Sequence, residues 1–205
     1  MKNLLIFPFN GNGLEAISCL SNEYNLLGFI DDIPLKQGKT SNGISVFTRD
    51  AIRNNPEALI LAVPGSPTSY KTRKDVIGSL NIDYPRFATI IHPNASISPL
   101  AKIGKNVLIM SGVVITSNAV IGDHVCILPN SVIHHDTSIG EYTLIGSNVS
   151  VAGHSTVGAN CYIGTGTSII NNITIGARTL IGLGSTVIKS LPEDSKAAGN
   201  PARLL

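Results

Sequence analysis

From Ile91 to Val187 every sixth residue is isoleucine or valine, seventeen positions with no insertion and no exception. A period of six fits neither an α-helix nor a simple alternating strand. It marks a chain wound into repeated coils. Glycine follows the aliphatic residue at 104, 122, 140, 158 and 176, and again at 146, 164 and 182, so each series repeats every eighteen residues. Three hexads therefore make one coil, with three short flat faces, three corners and one aliphatic side chain turned inward per face. Position five of the hexad is small or β-branched, as at Ala95, Val107, Ser131 and Thr143, which suits a narrow interior. Position four is asparagine at 94, 106, 118, 130, 148, 160 and 172, and glycine at 112, 166 and 184. Both residue types tolerate positive φ, as a tight corner requires. The 102 residues of the repeat make between five and six coils, about 27 Å of prism at a rise of about 4.8 Å per coil. The pattern predicts a parallel β-helix and does not reveal its hand.

Residues 1–89 lack the hexad and alternate apolar strands with helix-like stretches. Strands are expected at 2–9, 24–30, near Val46 and at 58–63, with helices at 13–22 and 70–80. Such alternation favours a small parallel α/β sheet. Phe87–Ile91 leads into the prism without a flexible linker. Two domains are expected, 1–89 and 90–205.

A net charge of +2 with 14% charged residues gives no basic face of the kind that nucleic acid needs. The three cysteines, Cys19, Cys126 and Cys161, are too few and too scattered for a disulfide framework and read as reduced thiols of a cytoplasmic protein. The apolar run 4–9 is too short to cross or enter a membrane and is interrupted by Pro8.

Several segments together carry a resemblance. They are the unbroken hexads, the α/β domain in front, Gly28-Phe29-Ile30-Asp31-Asp32, the His135-Asp136 pair in SVIHHDTSIG, and the ending Gly199–Arg203 (GNPAR). The chain resembles, over nearly its whole length, the NeuD/PglD-type sugar acetyltransferases. The resemblance implies a Rossmann-like N-terminal domain followed by a left-handed parallel β-helix that trimerises, with acetyl-CoA as acyl donor lying in the groove between two prisms. It implies transfer of an acetyl group to the amine of a nucleotide-linked sugar in surface glycan assembly, in the cytoplasm. His135 matches the general base and Asp136 follows it. Leu144, Thr165 and Leu183 match positions that hold CoA. Asn10, Gly11, Asn12, Asp31, Asp32 and Gly65 match positions that hold the nucleotide of the acceptor, and His134 is a candidate for the same groove. No metal is expected.

The chemistry agrees with the match. An amine attacking a thioester must lose a proton as the bond forms, and a neutral imidazole is suited to take it. A neighbouring carboxylate fixes the tautomer. Asp136 also falls at position four, where a corner residue is expected on structural grounds alone. Three positions depart from the amino-sugar enzymes: Asn12 and Leu144 stand where those enzymes carry histidines, and Leu128-Pro129-Asn130 replaces their usual turn. Transfer to a sugar or sialic acid hydroxyl is the alternative these departures leave open. A γ-carbonic-anhydrase-like or noncatalytic trimer is the second alternative.

Overall fold

The computed structural model describes residues 1–40 and 42–205. The front domain is a five-stranded sheet in the order β3-β4-β2-β1-β5. Its strands are β1 (Lys2–Phe7), β2 (Tyr24–Ile30), β3 (Gly38–Lys39), β4 (Ser45–Phe47) and β5 (Leu59–Ala62). β1, β2, β4 and β5 pair in parallel, and β3 pairs antiparallel to β4. A central parallel strand covered on both faces reads as an unbroken apolar run, and Leu4–Phe7 is buried throughout. Alternation then divides it. Leu4 and Ile6 join a cluster with Leu108, Met110, Cys126 and Leu144 of the prism, whereas Leu5 and Phe7 pack with Ile52, Ile77 and Leu80 on the other side. The sheet is therefore glued to the prism by one face.

The helices are α1 (Gly11–Ala16), α2 (Asp50–Asn54) and α3 (Arg73–Gly78). α1 begins two residues before the expected start because the Asn10 side chain accepts from Gly13 N at 2.8 Å and caps it. It gives way to a 3₁₀ turn at Ile17–Cys19, so the expected stretch 13–22 is shorter in the molecule. β3 and α2 escape the sequence pattern, since two and five residues are too few to show a period.

The hexads form three parallel sheets. The first face carries strands from Ile90–Ile91 through Leu144–Ile145 to Leu180–Ile181 and continues into Lys196–Gly199 and Ala202–Leu204. The second runs from Ser96–Ile97 to Thr186–Val187, and the third from Lys102–Ile103 to Thr174–Ile175. Every aliphatic position from Ile109 to Val187 is at most 2% exposed. Ile91 is 38% exposed because it lies in the first coil, with no coil above to cover it. At the other end the antiparallel pairing of Ala197–Gly199 with Ala202–Leu204 closes the prism. Cys161 lies in the prism core, and all three cysteines are free and buried. No helix among the described residues is long and apolar enough to cross a membrane.

Position four is left-handed at every hexad from Asn106 to Gly184, with φ between 52° and 73°. Five of these corners are neither asparagine nor glycine: His124, Asp136, Tyr142, His154 and Arg178. Aspartate and histidine are among the side chains that enter this region most readily, whereas Tyr142 and Arg178 hold it at a cost. His124, Tyr142 and Arg178 share one corner column with Asn106, and the front domain docks there. Asn106 accepts from Ala62 N through Oδ1 and donates to Ala62 O through Nδ2 at the end of β5, each at 2.7 Å. His124 stacks on Tyr142 with centroids 4.5 Å apart, meets Phe87 edge-on, and lies 3.0 Å from the Asn106 amide through Nδ1. The Arg73 guanidinium, 1% exposed, donates to the carbonyls of Pro64, His124 and Tyr142. Tyr70 Oη donates to Arg178 O, and Lys71 pairs with Asp194.

This column makes stability depend on acid. Burial, reinforced by the Arg73 charge, pushes the His124 imidazole down to about 4 from its usual 6.5. The unfolded chain therefore binds the proton first as pH falls, and the His124 contribution is complete above 6.5 and is lost as pH drops toward 4. Melting between pH 7 and pH 5 is expected to reveal a loss on the order of 1–2 kcal/mol. His124→Asn, which suits the left-handed corner, is expected to flatten that dependence; a variant with the wild-type slope would refute it.

Candidate active site

His135 sits at the corner between the second and third faces, just after the strand Val132–Ile133. Its Nδ1 lies 2.8 Å from Asp136 Oδ2, and its side chain is half exposed. Asp136 is the left-handed corner residue. Its carboxyl is held below the usual range by the His135 hydrogen bond first and by the Asn118 amide second. One coil further, His154 Nε2 is 3.8 Å from the same Asp136 oxygen, and its ring meets that of His135 edge-on at 5.0 Å. With Asp136 accepting the Nδ1 proton, Nε2 of His135 retains its lone pair. His134 is half buried and directly follows the strand Val132–Ile133.

His135 and Asp136 are adjacent in sequence, whereas Asn118, Gly153 and His154 join the site only through the stacking of coils. Gly153 is the floor of the site: a Cβ there would stand 2.6 Å from the His135 ring. The available signal was the eighteen-residue column Asn118, Asp136, His154, in which charged and imidazole side chains replace the usual corner asparagine. Gly153→Ala is expected to tilt the ring and lower kcat about 10–100-fold, because displacements near 1 Å at a reacting group have that effect. CoA affinity and melting are expected to move little. Wild-type kcat in that variant would contradict this placement.

A second group of expected residues converges elsewhere. Asn10, Gly11, Asn12 and Gly65 of the front domain line a cavity of about 390 Å³ together with Leu128, Leu144, Gly146 and Tyr162 of the first face. The loop after β5 passes so close to the prism that a Cβ on Gly65 would meet Leu144 at 2.9 Å and the Arg73 side chain at 3.0 Å, and its φ of +127° favours glycine independently. Leu144 is therefore buried at the domain junction, whereas Thr165 and Leu183 lie exposed along the corner between the first and second faces.

Asp31 and Asp32 border a shallower depression with Lys36, Gly65 and Ser69. The acceptor atoms of Asp31 are engaged within the domain: Oδ1 takes Ile33 N, and Oδ2 takes Phe9 N and Lys36 Nζ. Asp32 is paired with Arg49 at 2.7 Å. In this state Asp31 staples the loop after β1 to the end of β2.

The expected site residues thus fall into two sets. His134, His135 and Asp136 lie at the corner between faces two and three, while Asn10, Gly11, Asn12, Asp31, Asp32 and Gly65 belong to front-domain loops, Leu144 to the first face, and Thr165 and Leu183 to its corner with the second. The whole second face separates them within one chain.

The bacterial transferase hexapeptide (six repeats) family matches residues 100–135, 118–153 and 136–171. PerB from Caulobacter crescentus, solved in complex with CoA and GDP-perosamine, is 25% identical over 100% of this chain and 97% of its own, with a TM-score of 0.87. The acetyltransferase domain of PglB from Neisseria gonorrhoeae FA1090, solved with acetyl coenzyme A, is 23% identical over 100% of this chain and 99% of its own, with a TM-score of 0.86. WeeI from Acinetobacter baumannii AYE is 24% identical over 100% of both chains, with a TM-score of 0.84. No curated protein sequence matches the chain. The chain therefore carries bacterial transferase hexapeptide repeats and shares its fold with PerB, the PglB acetyltransferase domain and WeeI.

Proposed function

We propose that the chain is an acetyl-CoA-dependent N-acyltransferase acting on the amino group of a nucleotide-linked sugar. Residues 1–89 serve as a Rossmann-like nucleotide-binding domain, and residues 90–205 form a left-handed prism that carries the transfer chemistry. The enzyme works in the cytoplasm as a homotrimer. The observation that carries this reading is the Nδ1–Oδ2 contact of 2.8 Å at an exposed corner, which leaves Nε2 as the nitrogen that can accept a proton. CoA and GDP-perosamine in the PerB complex support the donor and the class of acceptor.

The separation of the two residue sets explains why an oligomer is needed. One prism supplies His135 and Asp136 as one wall of the groove. A neighbouring prism supplies the corner bearing Thr165 and Leu183, beside the front-domain cavity that Leu144 lines. His135 Nε2 accepts the proton of the attacking amine, Asp136 holds the imidazole in the productive tautomer, and backbone amides of the coil edge stabilise the oxyanion.

Two assays test the reading. Free thiol is expected from acetyl-CoA only when a nucleotide amino sugar is present, across a panel of GDP-, UDP- and dTDP-linked amino sugars and their hydroxyl counterparts. No release with any amine, in protein that binds CoA, would count against it. Mixed oligomers of His135→Ala with a Gly65→Leu variant are expected to regain activity that neither has alone, since some grooves then combine two intact walls; absence of recovery would contradict a shared site.

A further inference from the structure

We propose that His135, Asp136 and His154 form a binding site for a divalent transition-metal ion of the zinc class, and that an ion held there silences acyl transfer. One ligand atom from each residue lies within 4.8 Å of the other two. Asp136 Oδ2 is the common point, 2.8 Å from His135 Nδ1 and 3.8 Å from His154 Nε2. The two rings meet at 82°, so their nitrogens converge on the carboxylate. Asn118 donates to the other carboxylate oxygen at 3.0 Å, which fixes Asp136 and leaves Oδ2 turned toward both imidazoles.

The backbone holds this arrangement in register. Asp136 and His154 are left-handed corner residues one coil apart, and His154 N donates to His135 O at 3.1 Å. Two imidazoles and a carboxylate are the donor set of an open zinc site, with bonds near 2.0–2.2 Å and ligand atoms about 3.3 Å apart. Reaching that spacing takes only side-chain rotation at an exposed corner, where water completes the coordination.

Silencing follows from the tautomer. At rest the Nδ1 proton of His135 is donated to Asp136 and Nε2 carries the lone pair. A metal ion takes the Nδ1 lone pair, so the proton moves through solvent to Nε2, and the metal keeps its oxidation state. Nε2 then donates and cannot accept the acceptor's proton. Silencing rests on the reading of His135 as general base; metal binding does not.

The experiment is a Co²⁺ titration of the full-length protein followed by visible absorption, without substrates, then zinc competition. His154→Asn keeps a residue suited to the left-handed corner, so the fold is preserved. Wild type is expected to bind about one ion per chain, and His154→Asn to bind at least about tenfold more weakly. Zinc is expected to inhibit thiol release at the concentration that fills the site, with reversal by EDTA and a matching rightward shift in His154→Asn. No saturable binding, or equal affinity in the variant, overturns the site. Saturable binding with undiminished turnover overturns the silencing. A metal-free enzyme without turnover on any acceptor marks failure of the acyltransferase reading instead, because the titration needs no turnover.

Discussion

His135→Ala is expected to lower kcat by about 10²–10⁴-fold while leaving CoA affinity nearly unchanged. The side chain lies on the corner between the second and third faces, away from the edge where Thr165 and Leu183 run, so its loss removes proton acceptance and little donor binding. The imidazole is also not a packing element: half of it is exposed and its floor is a glycine. Melting is therefore expected to stay near the wild-type value, which separates lost chemistry from lost fold. His154 does not take over, because its ring stands edge-on to His135 and its Nε2 turns toward Asp136. Turnover within a few-fold of wild type would remove His135 from the mechanism.

Arg73→Met is expected to cost about 3–5 kcal/mol of stability, read as a lower midpoint of denaturant unfolding. The guanidinium is buried and remains charged at neutral pH even though burial lowers it to about 10. Its donors satisfy carbonyls from the loop after β5 and from two successive coils of the prism. Methionine fills much of the volume and leaves those carbonyls without partners in a dry interface. Arg73→Lys keeps the charge but offers a point donor where a planar fork is needed, and is expected to recover only part of the loss. A Met variant as stable as wild type would show that the junction is held by the apolar contacts of Leu4, Ile6, Leu108 and Met110 alone. Because Gly65 lies against Arg73, the Met variant is also expected to loosen the cavity loop and raise the acceptor KM.

The prism was legible in the sequence because its period is rigid. One aliphatic residue per face and one left-handed corner per hexad leave little freedom, and the corners at Asn106, Asn118 and Gly112 behave as their residue types require. The front strands were legible as apolar runs with ends shifted by one or two residues, and the start of α1 moved because the Asn10 cap decides it. β3 and α2 were not, for want of length. At the active corner, His135 and Asp136 are adjacent in sequence and so were found. Asn118, Gly153 and His154 are brought to them only by stacking of coils, eighteen residues at a time. Asp31 shows the converse: its place in the motif is plain in sequence, but its engagement with Phe9, Ile33 and Lys36 depends on how two loops meet.

The most direct test of the central claim is the identity of the product. Wild-type protein, acetyl-CoA and a nucleotide-linked amino sugar are incubated, and the sugar product is examined by mass spectrometry before and after alkaline hydroxylamine. The account expects an acetylated sugar that survives hydroxylamine, as an amide does, and its near absence with His135→Ala. An acetylated product cleaved by hydroxylamine, or an unmodified sugar beside CoA-binding protein, would contradict N-acyl transfer to a nucleotide-linked amine.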